Sequence, residues 1–186
     1  MTPHPLAVRL VEHLRAGPST RVLDFAFGRG RNTEALRAAG FTVVAVDDST
    51  AASAAPLAGL SGPFAAALST HGLLHGTPAT IGATLAGIAG LLAKGAPLYA
   101  TFGSIRDARF GSGTRIGEFT YAPESGEERG VAHAFFDRER LCALLGAHFA
   151  ICSLEEHDAG QSAGQWAHPE RPLSEAVHWF AVVTAE

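Results

Sequence analysis

The stretch from Arg21 to Asp47, RVLDFAFGRGRNTEALRAAGFTVVAVD, decides how this chain folds. A short apolar run, Val22 to Phe25, passes into a turn holding Gly28 and Gly30 and then into a helix-like segment, Thr33 to Ala39. Gly40 stops the helix, and a β-branched run from Phe41 to Val46 ends on the acidic pair Asp47 and Asp48. The order strand, tight turn, helix, strand makes a βαβ unit. Glycines at such a turn let backbone N–H groups approach a ligand, and the helix start behind them carries partial positive charge. A carboxylate ending the second strand is placed to accept hydrogen bonds from two ribose hydroxyls. These features describe a nucleoside site, with the spacing Asp-x-Ala-x-Gly-x-Gly in place of the Gly-x-Gly-x-x-Gly of a dinucleotide fold.

At these residues the chain resembles the class I S-adenosylmethionine-dependent methyltransferases, whose first motif is Asp/Glu-x-Gly-x-Gly-x-Gly after strand one. Asp24, Gly28 and Gly30 match that motif, Asp47 matches the acidic end of strand two, and Gly-Arg-Asn-Thr at 30 to 33 is similar to small tellurite-resistance-type members. Ala26 stands where the first glycine belongs, and Phe27 where a small residue is common. A positive φ at position 26 costs an alanine about 1 to 2 kcal/mol, which a well-packed turn absorbs. The resemblance implies a Rossmann-like, mostly parallel α/β sheet with helices on both faces, S-adenosylmethionine as cofactor, and methyl transfer to a small-molecule nucleophile. It places the methionine end of the cofactor at Gly28 and Gly30, with Ala26, Phe27 and Asn32 beside them. Asp24 would support the turn or the ammonium group, and Asp47 and Asp48 the ribose.

The length and composition agree with a single domain. The chain has 186 residues, 47% hydrophobic and 17% charged, enough for one buried core. No apolar run reaches membrane-spanning length, and residues 1 to 17 lack the basic-then-apolar order of a signal peptide, so a cytoplasmic location is expected. The net charge is −4 and Lys94 is the only lysine, which argues against a nucleic-acid partner. Cys142 and Cys152 lie in apolar-patterned segments without a close second thiol and read as buried free thiols.

Leu6, Leu10, Val11 and Leu14 share one face of a leading helix that ends at Gly17-Pro18. Only 16 residues, Asp48 to Pro63, separate Asp47 from the next apolar run. A helix, a strand and three loops need about 25, so the family's third strand is expected to be missing and one short helix, Thr50 to Leu60, to take its place. An edge strand exposed by that loss invites pairing with a second copy, so a homodimer is a possible assembly.

Phe64 to Leu68 is the next expected strand. Ser69, Thr70 and His71 follow it and should face the same crevice as Gly28 and Asp47, because ligands sit at the carboxyl ends of parallel strands. The resemblance puts a motif here that touches both methionine moiety and substrate, which makes His71 the first choice for substrate contact or proton removal and His75 the second. Their four-residue spacing would suit a metal ion on a helix, but Gly72 and Gly76 weaken the helix and no third ligand is identifiable. Both are read as site-lining histidines and no metal is expected.

Thr77 and Pro78 start a helix with the stripe Ile81, Leu85, Ile88, Leu91 and Leu92, closed by Lys94-Gly95. Pro97 to Phe102 is a strand. Residues 104 to 133 have no clear period and read as a cover loop, partly ordered around Phe119 and Tyr121. Within it Arg106, Arg109 and Arg115 are either ordinary solvated arginines or a clamp for an anionic substrate group, with Arg115 taken as a substrate contact. Asp137 caps a helix carrying Leu141, Leu144 and Leu145. Phe149 to Leu154 and Val177 to Thr184 are the last two strands, and the loop between them holds Trp166 and His168 as further substrate candidates. His133, His157 and His168 are loop histidines by this reading. The expected sheet has six strands, one of them antiparallel near the C-terminal edge.

Two other readings compete with the enzyme. Ala26, Phe27 and the lost strand fit a catalytically retired module that keeps the fold to bind a partner, with Phe27 plugging the site. A nicotinamide oxidoreductase is disfavoured by the glycine spacing and by the lack of a Tyr-x-x-x-Lys pair.

Overall fold

The computed structural model describes residues 2–14, 20–47, 54–158 and 176–186. Among the described residues the sheet has nine strands where six were expected; six make its body, β1 (Arg21–Phe25), β2 (Thr42–Val46), β3 (Ala66–Ser69), β4 (Pro97–Ser104), β8 (Phe149–Asp158) and β9 (Val177–Ala185), and three more come from residues 114–136. β2, β1, β3 and β4 run parallel in that order, β9 lies antiparallel to β4, and β8 pairs with β9 at the far side. This is the mostly parallel sheet with one antiparallel strand that the sequence implies.

The strands alternate between two cores. Leu23 and Phe25, Ala67, Leu98 and Ala100, and Ala181 and Val183 pack on one face, against Ile81, Leu85 and Ile88 of α3 (Pro78–Leu91) and Leu141 and Leu145 of α4 (Arg138–Leu145). Val22, Ala66, Leu68, Tyr99 and Phe180 face the other way, against Leu6, Ala7 and Leu10 of α1 (Pro5–His13) and Leu36 of α2 (Arg31–Ala38). Side chains two apart on a strand share a face, so this alternation puts helices on both sides. The capping residues agree with the sequence: Thr77 and Thr80 form a capping box at the start of α3, and the Asp137 side chain accepts from Arg140 N.

Among the described residues no strand lies between Asp47 and Phe64, and β2 is an edge of the sheet. Its residues are only half-buried or exposed, unlike the covered β3 and β4. The expected helix over Thr50 to Leu60 is not formed where the chain is described: Ala55–Leu57 is a single 3-10 turn, held by Pro56 and by Leu57 seated in the core, and residues 50–53 lie outside the described part. Gly59 then turns the chain with φ +87.

The expected cover loop is more regular than its sequence. It holds β5 (Thr114–Gly117), β6 (Thr120–Ala122) and the start of β7 (His133–Phe136), an antiparallel meander. β7 pairs in parallel with the last two residues of β4, Gly103 and Ser104, beyond the point where β3 ends. The meander is therefore anchored at the carboxyl rim of the sheet. Phe110 packs on Phe119, Tyr121 and Phe135 with ring centroids 5.5–5.7 Å apart, a small aromatic core of its own. The two cysteines are free but not buried: Cys142 is half-buried and Cys152 exposed, because β8 is an outer strand with one open face and a register shift between Ile151 and Ser153.

Candidate active site

The β1–α2 turn takes the conformation its glycines allow. Gly28 has φ +55 and Gly30, the N-cap of α2, has φ +78. Ala26 also has positive φ, +58, so the alanine carries the left-handed strain of about 1 to 2 kcal/mol. Backbone pairing holds it there, since Ala26 N donates to Val46 O at 2.7 Å. The same carbonyl accepts from Phe27 N at 3.4 Å, so Asp47, the next residue after Val46 and exposed, stands beside the turn. A β-carbon at Gly28 would meet nothing within 4 Å among the described residues, which leaves the turn open at that point. Phe27 is half-buried, with its ring edge against Gly30.

Beneath the turn, Asp24 is buried and its Oδ2 accepts a 2.5 Å hydrogen bond from the Thr33 hydroxyl. Burial pushes the carboxyl up to about 6, against the pull of that hydrogen bond and of Arg37. Asn32 and Thr70, both buried, brace the site: His4 N donates to Asn32 Oδ1 at 2.9 Å, and Asn32 Nδ2 donates to Thr70 Oγ1 at 2.8 Å. The tie joins the starts of α1 and α2 to the end of β3.

The turn after β3 closes against the turn after β1. A β-carbon at Gly72 would lie 2.3 Å from the Ala26 methyl and 3.0 Å from Ser69 Oγ, so only glycine fits there while position 26 is alanine. Ser69 is buried beneath this contact, its hydroxyl without a hydrogen-bond partner among the described residues. His71 sits at φ +68, its backbone N–H donating to Thr101 Oγ1 at 2.8 Å. Its ring contacts two further histidines edge-on, His4 at 5.6 Å and His178 at 5.4 Å between centroids. Burial lowers the pKa of all three, His4 down to about 2 and His71 well below the usual histidine range. Neighbouring positive groups reinforce the effect, Arg31 at His4 and His71, and Arg109 at His178. His4 Nδ1 accepts from Leu6 N and Arg109 Nη2 donates to His178 Nε2, so both rings use a lone pair at those atoms and are neutral.

His75 does not join His71. The intervening Gly72–Leu74 segment is a 3-10 turn, which turns His75 toward the meander, where it meets His133 and Glu128. His133 is not a loop residue but the first residue of β7, and it is buried. Arg109 forms a bidentate pair with buried Asp107 at 2.8 and 2.9 Å, and Asp107 Oδ2 also accepts from Val177 N. Arg106 pairs with Glu156. Arg115 lies on β5, the outermost strand of the meander, exposed and turned to its own Gly117 carbonyl, away from the other candidates. His157 stacks on Phe180 at 4.3 Å from the β8 side. Asp48, Trp166 and His168 lie outside the described residues.

Sequence reasoning missed His4, Asp107 and His178. His178 was readable in principle: it is two residues before Phe180 on β9, and alternation places both on the same face. His4 had only its position before Pro5 as a sign, that of a helix N-cap.

No family model matches the sequence, and a search of curated proteins finds no match. Solved structures do. A S-adenosylmethionine-dependent methyltransferase of Methanosarcina mazei superposes with TM-score 0.69 at 16% identity, over 100% of this chain and 99% of that one. The chain has the class I methyltransferase fold. The 1,6-didemethyltoxoflavin N1-methyltransferase of Burkholderia thailandensis gives 0.67 at 22% identity over 97% of this chain and 76% of its own length. TehB of Haemophilus influenzae gives 0.64 at 10% identity over 98% of this chain and 62% of its own length.

Proposed function

We propose that the chain catalyses methyl transfer from S-adenosylmethionine to a small-molecule nucleophile. The observation that carries this is the β1–α2 turn. Three positive-φ residues at 26, 28 and 30 keep the cradle conformation despite the alanine, and the turn is open at Gly28 beside the exposed Asp47. Structures of this fold crystallised with the demethylated cofactor or with S-adenosylmethionine itself support the choice of ligand.

The residues present fit that group. Gly28 and Gly30 would take its amino-acid end, Asp47 its ribose, and Asp24 either the ammonium or the turn. When bound, the cofactor supplies a methyl group on an already activated sulfur, so the protein's task is alignment and exclusion of water. His71, kept neutral by burial just beyond the carboxyl end of β3, is the residue assigned to orienting the nucleophile. Its depressed basicity suits orienting the nucleophile better than storing a proton. A cationic ammonium near Asp24 favours the ionised carboxyl, so affinity should rise as pH increases through about 6.

The test is calorimetric titration with S-adenosylmethionine and S-adenosylhomocysteine, with NADH as control. Micromolar binding of both sulfur nucleosides, lost by at least about tenfold in Asp47→Ala with its fold intact, is the expected result; tenfold corresponds to about 1.4 kcal/mol, one lost charged hydrogen bond. The alternative is a retired module, and absence of binding by either nucleoside would decide for it.

A further inference from the structure

We propose that His75, Glu128 and His133 bind one divalent cation of the zinc class at the junction of the β3–α3 segment and the meander. Among the described residues these three bring two imidazoles and a carboxylate together, with a ligand atom from each within 4.8 Å of the others. Glu128 Oε2 is 3.1 Å from His133 Nε2, and Glu128 Oε1 is 3.4 Å from His75 Nε2. Zinc bonds of about 2.0 to 2.2 Å at tetrahedral angles put neighbouring ligand atoms about 3.3 to 3.5 Å apart, so small shifts would seat one ion between them.

Three further features fit a built site. His133 Nδ1 lies 2.9 Å from the Val131 carbonyl, which can only accept, so Nδ1 carries a proton; Nε2, which faces Glu128, would give up its own proton to the carboxylate or solvent when it takes a metal ion. A ring whose distal N–H is held by a backbone carbonyl is the usual support of a metal-bound histidine. The two histidine backbones are fixed to each other: residues 75 and 133 form an isolated antiparallel bridge, and Gly76 N donates to Ala132 O at 2.7 Å. The rings meet at 90° with centroids 4.9 Å apart. Finally, His75 and Glu128 keep 22% and 32% of their side-chain surface exposed while His133 keeps 5%. Three protein ligands with a partly open side is the arrangement that leaves a fourth position for water or a substrate atom. The site stands independently of the cofactor reading, since none of its ligands belongs to the β1–α2 turn.

Tag-free protein, stripped with a chelator, is titrated with cobalt(II) and then zinc(II). The expected result is one equivalent of cobalt bound with the intense visible absorption of a four-coordinate site, displaced by one equivalent of zinc. Glu128→Gln and His75→Ala should each weaken zinc by about 100-fold, at or above the loss that follows removal of a mere supporting group. Less than one equivalent bound by the wild type, a six-coordinate cobalt spectrum, or unchanged affinity in both variants overturns the proposal in favour of a plain histidine–carboxylate cluster. The wild-type spectrum decides even if a variant fails to fold.

Discussion

Two groups of histidines flank the Gly72–Leu74 turn, and they are electrostatic opposites. On one side His4, His71 and His178 crowd together, and the nearby Asp107, 3.7 Å from His178 Nε2, is engaged by Arg109 on both oxygens. Burial then keeps these rings neutral. On the other side Glu128 offers one oxygen to His75 and the other to His133, and hydrogen bonds from His133 and His75 hold its carboxyl well below the usual range. His71 and His75 are four residues apart in sequence, yet what each can do is set by partners more than 50 residues away in the case of Glu128 and more than 100 in the case of His178. The lesson is that a histidine's chemistry follows the carboxylate brought to it, and spacing along the chain says little about that.

The largest expected effect comes from the turn between the groups. Gly72→Ala should destabilise the fold by about 3 kcal/mol in urea unfolding, since overpacking against the Ala26 methyl, fixed directly to the backbone, and against Ser69 Oγ has little room to relax. Adding Ala26→Gly should recover more than half of that loss, because it removes the 2.3 Å clash and leaves the 3.0 Å approach to Ser69 Oγ. No recovery would mean that the two turns do not share this contact.

Of similar size is the effect of Asp24→Asn. A carboxyl whose folded pKa is raised from 3.8 to about 6 binds more protons folded than unfolded, so it lowers stability as pH rises through that window. The variant should be more stable than wild type at pH 7.5 by about 3 kcal/mol, from the shift of about two units at 1.36 kcal/mol each, and nearly equal to it near pH 4. A constant difference across this range would reject the assignment.

The histidines should give the opposite slope. Groups with depressed folded pKa contribute stability present above about 6.5 and lost as pH falls toward the folded value, about 1.4 kcal/mol per pH unit for each ring at most. His4→Asn, which keeps a side-chain cap for α1, should flatten the decline between pH 6.5 and 5 by about that amount. Glu128 acts in a lower window: its contribution is present above about 4.5 and fades below it, so Glu128→Gln should remove part of the acid limb below about 4.5. A change confined to the higher window in that variant would merge the two groups into one.

The sheet was legible because its central strands alternate between two apolar faces over four to nine residues, and the helix starts because Thr77-Pro78 and Asp137 carry their own caps. The meander was not. β5 is the sequence TRIG, largely exposed, and β6 has three residues, so neither has a periodicity to read; they exist because β7 finds the end of β4 and Phe110 gathers three aromatic rings. Of the candidate site, the glycine turn and Asp24 could be read from a local motif. The two histidine groups could not, since Glu128 and His178 reach them only through the pairing of β7 with β4 and of β9 with β4.

The contact between Ala26 and Gly72 also limits how this sequence can drift. The space between the two turns holds the Ala26 methyl and leaves no room for a second at position 72, so the two positions constrain each other. A methyl at position 72 is expected to be tolerated only beside glycine at 26, a dependence that a motif scored one column at a time does not see.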